Sequence, residues 1–91
     1  MQSRVFDLGA VRKNAVVTVF LQASANIRLM TKANFRAYKQ KQFYKMLGGV
    51  ALTPMFKLTI PSNGHWVVVV DVDGLTSPLL LTRVQVDVDV P

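Results

Sequence analysis

The stretch His65-Trp66-Val67-Val68-Val69-Val70-Asp71-Val72-Asp73 constrains the fold more than any other part of the chain. Six of its nine residues are Trp or Val. β-Branched side chains are stiff at χ1 and suit a pleated strand better than a helix. An apolar run on both parities has no water-facing side, so the spacing predicts a strand covered on both faces at its middle. Asn63-Gly64 before it and Asp73-Gly74 after it are turn signals. The rest of the chain must supply two coverings.

A second continuous β-branched run, Ala15-Val16-Val17-Thr18-Val19-Phe20-Leu21, predicts another interior strand. Strict alternation over residues 83–90 puts Val84, Val86, Val88 and Val90 on one face and Arg83, Gln85, Asp87 and Asp89 on the other, a half-buried strand whose aspartates discourage edge pairing. Residues 2–8 suit an edge strand that Gly9 interrupts, and Arg12-Lys13-Asn14 a polar turn. Residues 22–26 read as a connection, and Ile27-Arg28-Leu29-Met30 as a short strand. Residues 42–47 return to strand, with Gly48-Gly49 a turn or bulge after them. Pro54 opens a strand over 55–60 with Lys57 and Thr59 outward. Residues 31–40 break the β pattern: Thr31 suits a helix cap, and Phe35 and Tyr38, three apart, share one helical face.

About seven short strands separated by Gly, Pro and Asn turns, with one short helix near residues 32–39, predict an all-β fold. It is a small antiparallel β-sandwich, jelly-roll-like or a partly closed barrel, over a single domain, residues 1–91. The absence of Glu agrees with a β protein. With no cysteine, neither a disulfide nor a thiolate metal site can form. The first residues lack the apolar core of a signal peptide, and no apolar run approaches the ~20 residues of a membrane helix. The expectation is a cytoplasmic protein that does not enter a membrane.

Taken in order, Asn26-Ile27-Arg28-Leu29-Met30, Asn34-Phe35 with Tyr38, Tyr44, Gly48-Gly49, Ile60-Pro61, and Gly64-His65-Trp66 followed by Val68-Val69-Val70-Asp71 resemble a small bacterial family known only as a domain of unknown function. Its members are of about this length and either stand alone or sit beside Toll/interleukin-receptor (TIR) type signalling domains. The resemblance spans roughly residues 5–88. It implies an all-β domain with no established activity, and the fused arrangement implies a recognition or regulatory module. The chain departs from the family pattern in its acidic Asp71-Val72-Asp73 turn and in its lysines between 32 and 45.

The catalytic inventory is bare. Nucleophilic catalysis needs a nucleophile, a base and an orienting group, and the chain offers no Cys and one His. His65 reads as a histidine at the start of the central strand, packed on a neighbouring aromatic. Asp71 and Asp73 share one parity and Asp87 and Asp89 another; if the two strands met, the four carboxylates would suit a hard cation, while solvated surface accounts for the same residues. No cofactor or metal is implied.

Charge carries the strongest signal. Ten of the eleven Lys and Arg residues precede position 71, whereas four of the five carboxylates lie at or after it. Arg28, Lys32, Arg36, Lys39, Lys41 and Lys45 fall within eighteen residues that hold no acid. Phe35, Tyr38, Phe43 and Tyr44 interleave with them. These cations, with Tyr38 and Tyr44, are the candidate anion- or partner-binding residues, for an acidic protein surface or a phosphate backbone. The expected function is a non-catalytic interaction module that binds a protein partner or a second copy of itself. Anion or nucleic-acid binding through residues 28–45 is the alternative.

Overall fold

In the computed structural model, which describes residues 3–76 and 82–87, the central run is a strand with neighbours on both sides. Seven strands and one helix follow one another among these residues: β1 (Ser3–Val11), β2 (Val16–Phe20), β3 (Ala25–Thr31), α1 (Lys32–Lys39), β4 (Leu47–Ala51), β5 (Met55–Thr59), β6 (Gly64–Asp71) and β7 (Arg83–Asp87). One sheet has the order β1-β6-β3-β4 and the other β5-β2-β7. Every pairing is antiparallel. The two valine-rich runs, β6 and β2, are interior strands of their sheets, as their patterning predicts. The sheets remain separate, with β1, β4, β5 and β7 at their edges, so the barrel does not close.

The sheets pack face to face over one apolar core. Trp66, Val68 and Val70 of β6 and Ile27 and Leu29 of β3 meet Val17 and Val19 of β2, with Phe56, Leu58, Val84 and Val86 closing the sides. The Trp66 indole N–H donates to the Ser62 carbonyl at 3.0 Å, so this large side chain is buried without an unpaired polar atom. The outer face of β2 is covered differently. Thr18 is buried between its cross-strand neighbours Lys57 and Gln85, and the Arg83 guanidinium lies 4.3 Å from the centre of the Phe20 ring.

The second covering of β6 is the helix. Val67 and Val69, with Met30 of β3, are buried under Phe35, Tyr38, Tyr44 and Met46. Thr31 caps α1: its hydroxyl accepts from the Asn34 backbone N–H and side-chain amide. At the other end the Gln42 N–H donates to the Ala37 carbonyl and the Lys41 N–H to that of Tyr38, which closes the last turn. Residues 42–46 then cross the same face as irregular chain.

Several expectations are corrected. Residues 42–47 are not a strand, because Tyr44 and Met46 pack down beside the helix. The strand instead runs Leu47–Ala51 and takes Gly48-Gly49 into its middle, opposite Arg28 and Ile27. Gly48 is required there: its φ is +132°, and an added Cβ would stand 2.0 Å from the Ile27 carbonyl oxygen. Gly9 does not end β1. It forms a bulge at φ +71°, and pairing with β6 resumes as far as Val11. The connection expected over residues 22–26 is shorter, since β3 begins at Ala25. The alternation of residues 83–90 holds over β7; its continuation, with Val88, Asp89 and Val90, lies outside the described residues.

Candidate functional site

The helix leaves part of its sheet face uncovered, and there the polar residues collect. Strand register sets three rows on that face: Asp7, Val67 and Met30; Val5, Val69, Arg28 and Gly48; Ser3, Asp71, Asn26 and Val50. Phe35, Tyr38, Tyr44 and Met46 close over the apolar residues at the centre of these rows. A cleft of about 520 Å³ remains beside them. Its floor is Ser3, Arg28 and Asp71, its wall Tyr38, Lys39, Lys41 and Tyr44, and its rim Asp73.

Asp71 anchors the floor. It is 0 % exposed, although it had been expected at a solvated surface. One carboxylate oxygen accepts from the Asn26 side-chain amide at 2.7 Å and the Asp73 N–H at 3.0 Å, and the other accepts from Arg28 Nε at 2.8 Å. Burial alone pushes this carboxyl up. The hydrogen bonds from Arg28, Asn26 and the Asp73 amide outweigh that and hold it below the usual carboxylate range. Asn26 also donates to the Asp73 carbonyl at 2.9 Å, which ties the rim to the floor.

Arg28 is correspondingly fixed. Its hydrogen bond to Asp71 raises its pKa against the opposing effect of burial. Nη1 donates to the Tyr44 hydroxyl oxygen at 3.1 Å and approaches the Met46 sulfur at 3.8 Å. Nη2 has no protein partner among the described residues, and no buried side-chain nitrogen or oxygen lacks one, so Nη2 is accessible to solvent on a residue that lines the cleft. Because Tyr44 accepts from Arg28, its own hydroxyl proton is left to donate. Tyr38 meets Tyr44 edge-on, with ring centroids 5.0 Å apart. Burial raises the Tyr38 phenol, and the Asp71 charge adds to the effect, so the ring stays neutral and its O–H remains a donor.

The two lysines at the wall are held by different means. Lys39 Nζ lies 4.8 Å from the centre of the Phe35 ring. Lys41 sits at φ +58°, a left-handed position that a helix end usually gives to glycine. The other candidate cations do not join the cleft. Lys32 Nζ is 3.8 Å from Asp7, which also bonds His65. His65 therefore meets a carboxylate. Asp7 is held low by the Gly9 N–H and by His65. Arg36 is exposed, and Lys45 contributes its backbone N–H to Asn34 while its side chain stays in solvent.

The sequence thus located five residues that meet at the cleft, Arg28, Tyr38, Lys39, Lys41 and Tyr44, and missed Ser3, Asn26, Asp71 and Asp73. A signal for Asp71 existed: it shares the parity of Val67 and Val69 and so continues a buried row. Of the suggested four-carboxylate cluster, Asp71 ends β6 and Asp87 lies on β7 in the other sheet, so the described members are not brought together by strand pairing; Asp89 lies outside the described residues. Among the described residues no three His, Cys, Asp or Glu side chains converge as a metal site, and no helix is long and apolar enough to cross a membrane.

Fold and cleft together define a small two-sheet β domain with a helix-walled, cation-lined recess on one sheet. The chain belongs to the family described as Domain of unknown function (DUF1883), whose model matches residues 1–90. No curated protein and no solved structure matches the chain.

Proposed function

We propose that this chain is a non-catalytic recognition domain that grips a protein partner by an anionic group, carboxylate or phosphate, held in the helix-side cleft. The observation that carries this reading is Arg28. A buried carboxylate fixes its guanidinium through Nε, Tyr44 takes Nη1, and Nη2 is left without a protein partner among the described residues, on a side chain that lines the recess with Lys39 and Lys41. A guanidinium immobilised in this way loses little further freedom when it binds an anion. The recess is compact, Lys32 is engaged by Asp7, and Lys57 lies on the other sheet, which favours one anionic group over a tracked nucleic-acid backbone. The resemblance to bacterial domains that stand alone or adjoin TIR-type domains supports a regulatory role in the cytoplasm.

The test is a titration with inorganic phosphate, followed through the Arg28 Nε–H and Asp73 amide resonances. Saturable shifts are expected in the native chain, with affinity reduced about tenfold when Lys39 and Lys41 are both changed to Gln. Absent shifts, or an affinity the two substitutions leave unchanged, refute the site. An acidic peptide and a single-stranded oligonucleotide run in parallel separate the partners: preference for the oligonucleotide, with the steep salt dependence of counterion release, replaces this reading with nucleic-acid binding. Light scattering on the same samples tests self-association.

A further inference from the structure

A second surface lies at the β4 edge of the same sheet. Among the described residues six large apolar side chains are exposed: Val5, Phe43, Leu47, Val50, Leu52 and Met55. Five of the six lie on β4 or within a few residues of it, and Phe43 is 92 % exposed. Leu47 and Val50 stand on opposite faces of β4 and flank its edge, an exposed apolar pair of the kind that marks an interaction site.

The backbone of β4 gives that surface a definite character. Among the described residues β4 pairs with β3 on one side only, so alternate N–H and C=O groups point outward, and no other backbone hydrogen bond there engages residues 47–51. The other three edges are guarded against strand addition. β1 carries Arg4, Asp7 and a bulge; β5 presents Lys57 outward; β7 presents Arg83 and Asp87. β4 reads Leu-Gly-Gly-Val-Ala, with no charge and no proline.

We propose that β4 accepts an extended segment of a partner protein as an added strand, and that this segment alternates apolar with acidic residues. Main-chain hydrogen bonds supply the attraction and side-chain contacts the selectivity. The acidic preference follows from charge. Exposed Lys45 precedes the strand, and no acid occurs between Asp7 and Asp71. A second copy of the chain would bring the same lysine to the same edge and a net charge of +6. The inference stands apart from the cleft and does not need it.

The probe is a short capped peptide alternating valine with aspartate, compared with its lysine counterpart and with two versions N-methylated at alternate amides. Saturable binding of the aspartate peptide is expected, with slowed amide exchange across residues 47–51. One of the two N-methylated versions should bind at least about tenfold more weakly, because it has lost the donors facing β4 at unchanged charge. The lysine peptide should not bind. Equal affinity for the aspartate peptide and both N-methylated versions would mean charge attraction alone and overturn the proposal. So would protection at β1 or β7, no binding at all, or a peptide-free dimer protected at residues 47–51.

Discussion

β6 presents two faces that solve the same problem in opposite ways. Toward the second sheet it offers Trp66, Val68 and Val70, and the surface opposite is another sheet that covers them all. Toward α1 it offers Val67, Val69 and then Asp71. An eight-residue helix is only about 12 Å long, whereas an eight-residue strand spans about 26 Å. Even laid along the strand, α1 covers less than half of it. The first face is closed by apolar volume, for which several residue types serve. The second ends in a charge that tolerates burial only with partners at one register position, where β3 supplies Asn26 and Arg28. The cleft exists because the covering runs out, and its chemistry exists because Asp71 needs those partners.

Breaking each face in turn sharpens the contrast. The largest effect is expected from Trp66→Ala, which empties the middle of the inter-sheet core. It should lower stability by about 3–5 kcal/mol in chemical denaturation. A domain of this size has only about 5–10 kcal/mol to lose. A loss under about 1 kcal/mol would place Trp66 outside the core.

On the other face, Arg28→Met should cost about 3 kcal/mol, because it strands a buried carboxylate with fewer donors; the partial exposure of Arg28 keeps the figure at the lower end for a buried pair. Adding Asp71→Leu to that variant should recover much of the loss, since the charge then no longer needs a partner. A double variant that is no more stable than Arg28→Met would show that the two residues do not act as a pair. The same pair sets the acid limb of stability. The folded Asp71 carboxyl titrates below its unfolded value, so between the two the unfolded chain binds more protons. Its contribution is therefore present above the ordinary carboxylate range, near pH 4, and fades as pH falls through the lower folded value. Denaturation midpoints followed downward from neutral pH should fall less steeply for Asp71→Asn than for the native chain.

The two faces were not equally legible. Runs such as Val67–Val70, and the alternation of Arg83 through Asp87, declare themselves because periodicity is local. They carried the two sheets, the interior strands and the outward Lys57 and Thr59. The helix was legible from Thr31 as a cap and from the Phe35–Tyr38 spacing. What stayed hidden depends on contacts between distant residues. Asp71 meets Arg28 across 43 positions of sequence, so neither residue alone shows that the other neutralises it. Gly48-Gly49 misled because glycines usually mark turns, whereas here the close approach of the Ile27 carbonyl demands one inside a strand. Residues 42–46 misled because the aromatic and methionine positions that suit a strand also suit a segment packed beside a helix.

The smallest effect has the opposite sign. Lys41 holds a left-handed conformation at the end of α1, which costs a side-chain-bearing residue roughly 1 kcal/mol relative to glycine. Lys41→Gly should therefore stabilise the domain by about that amount, read as a higher denaturation midpoint. The gain is confined to the helix-bearing face, because Lys41 touches nothing in the inter-sheet core. If the lysine is present for its charge at the cleft, the same variant binds phosphate less tightly than the native chain, and stability and binding move in opposite directions. Should stability rise while phosphate affinity stays unchanged, Lys41 is a strained residue without a task there, and the cleft's hold on an anion rests on Arg28 and Lys39 alone.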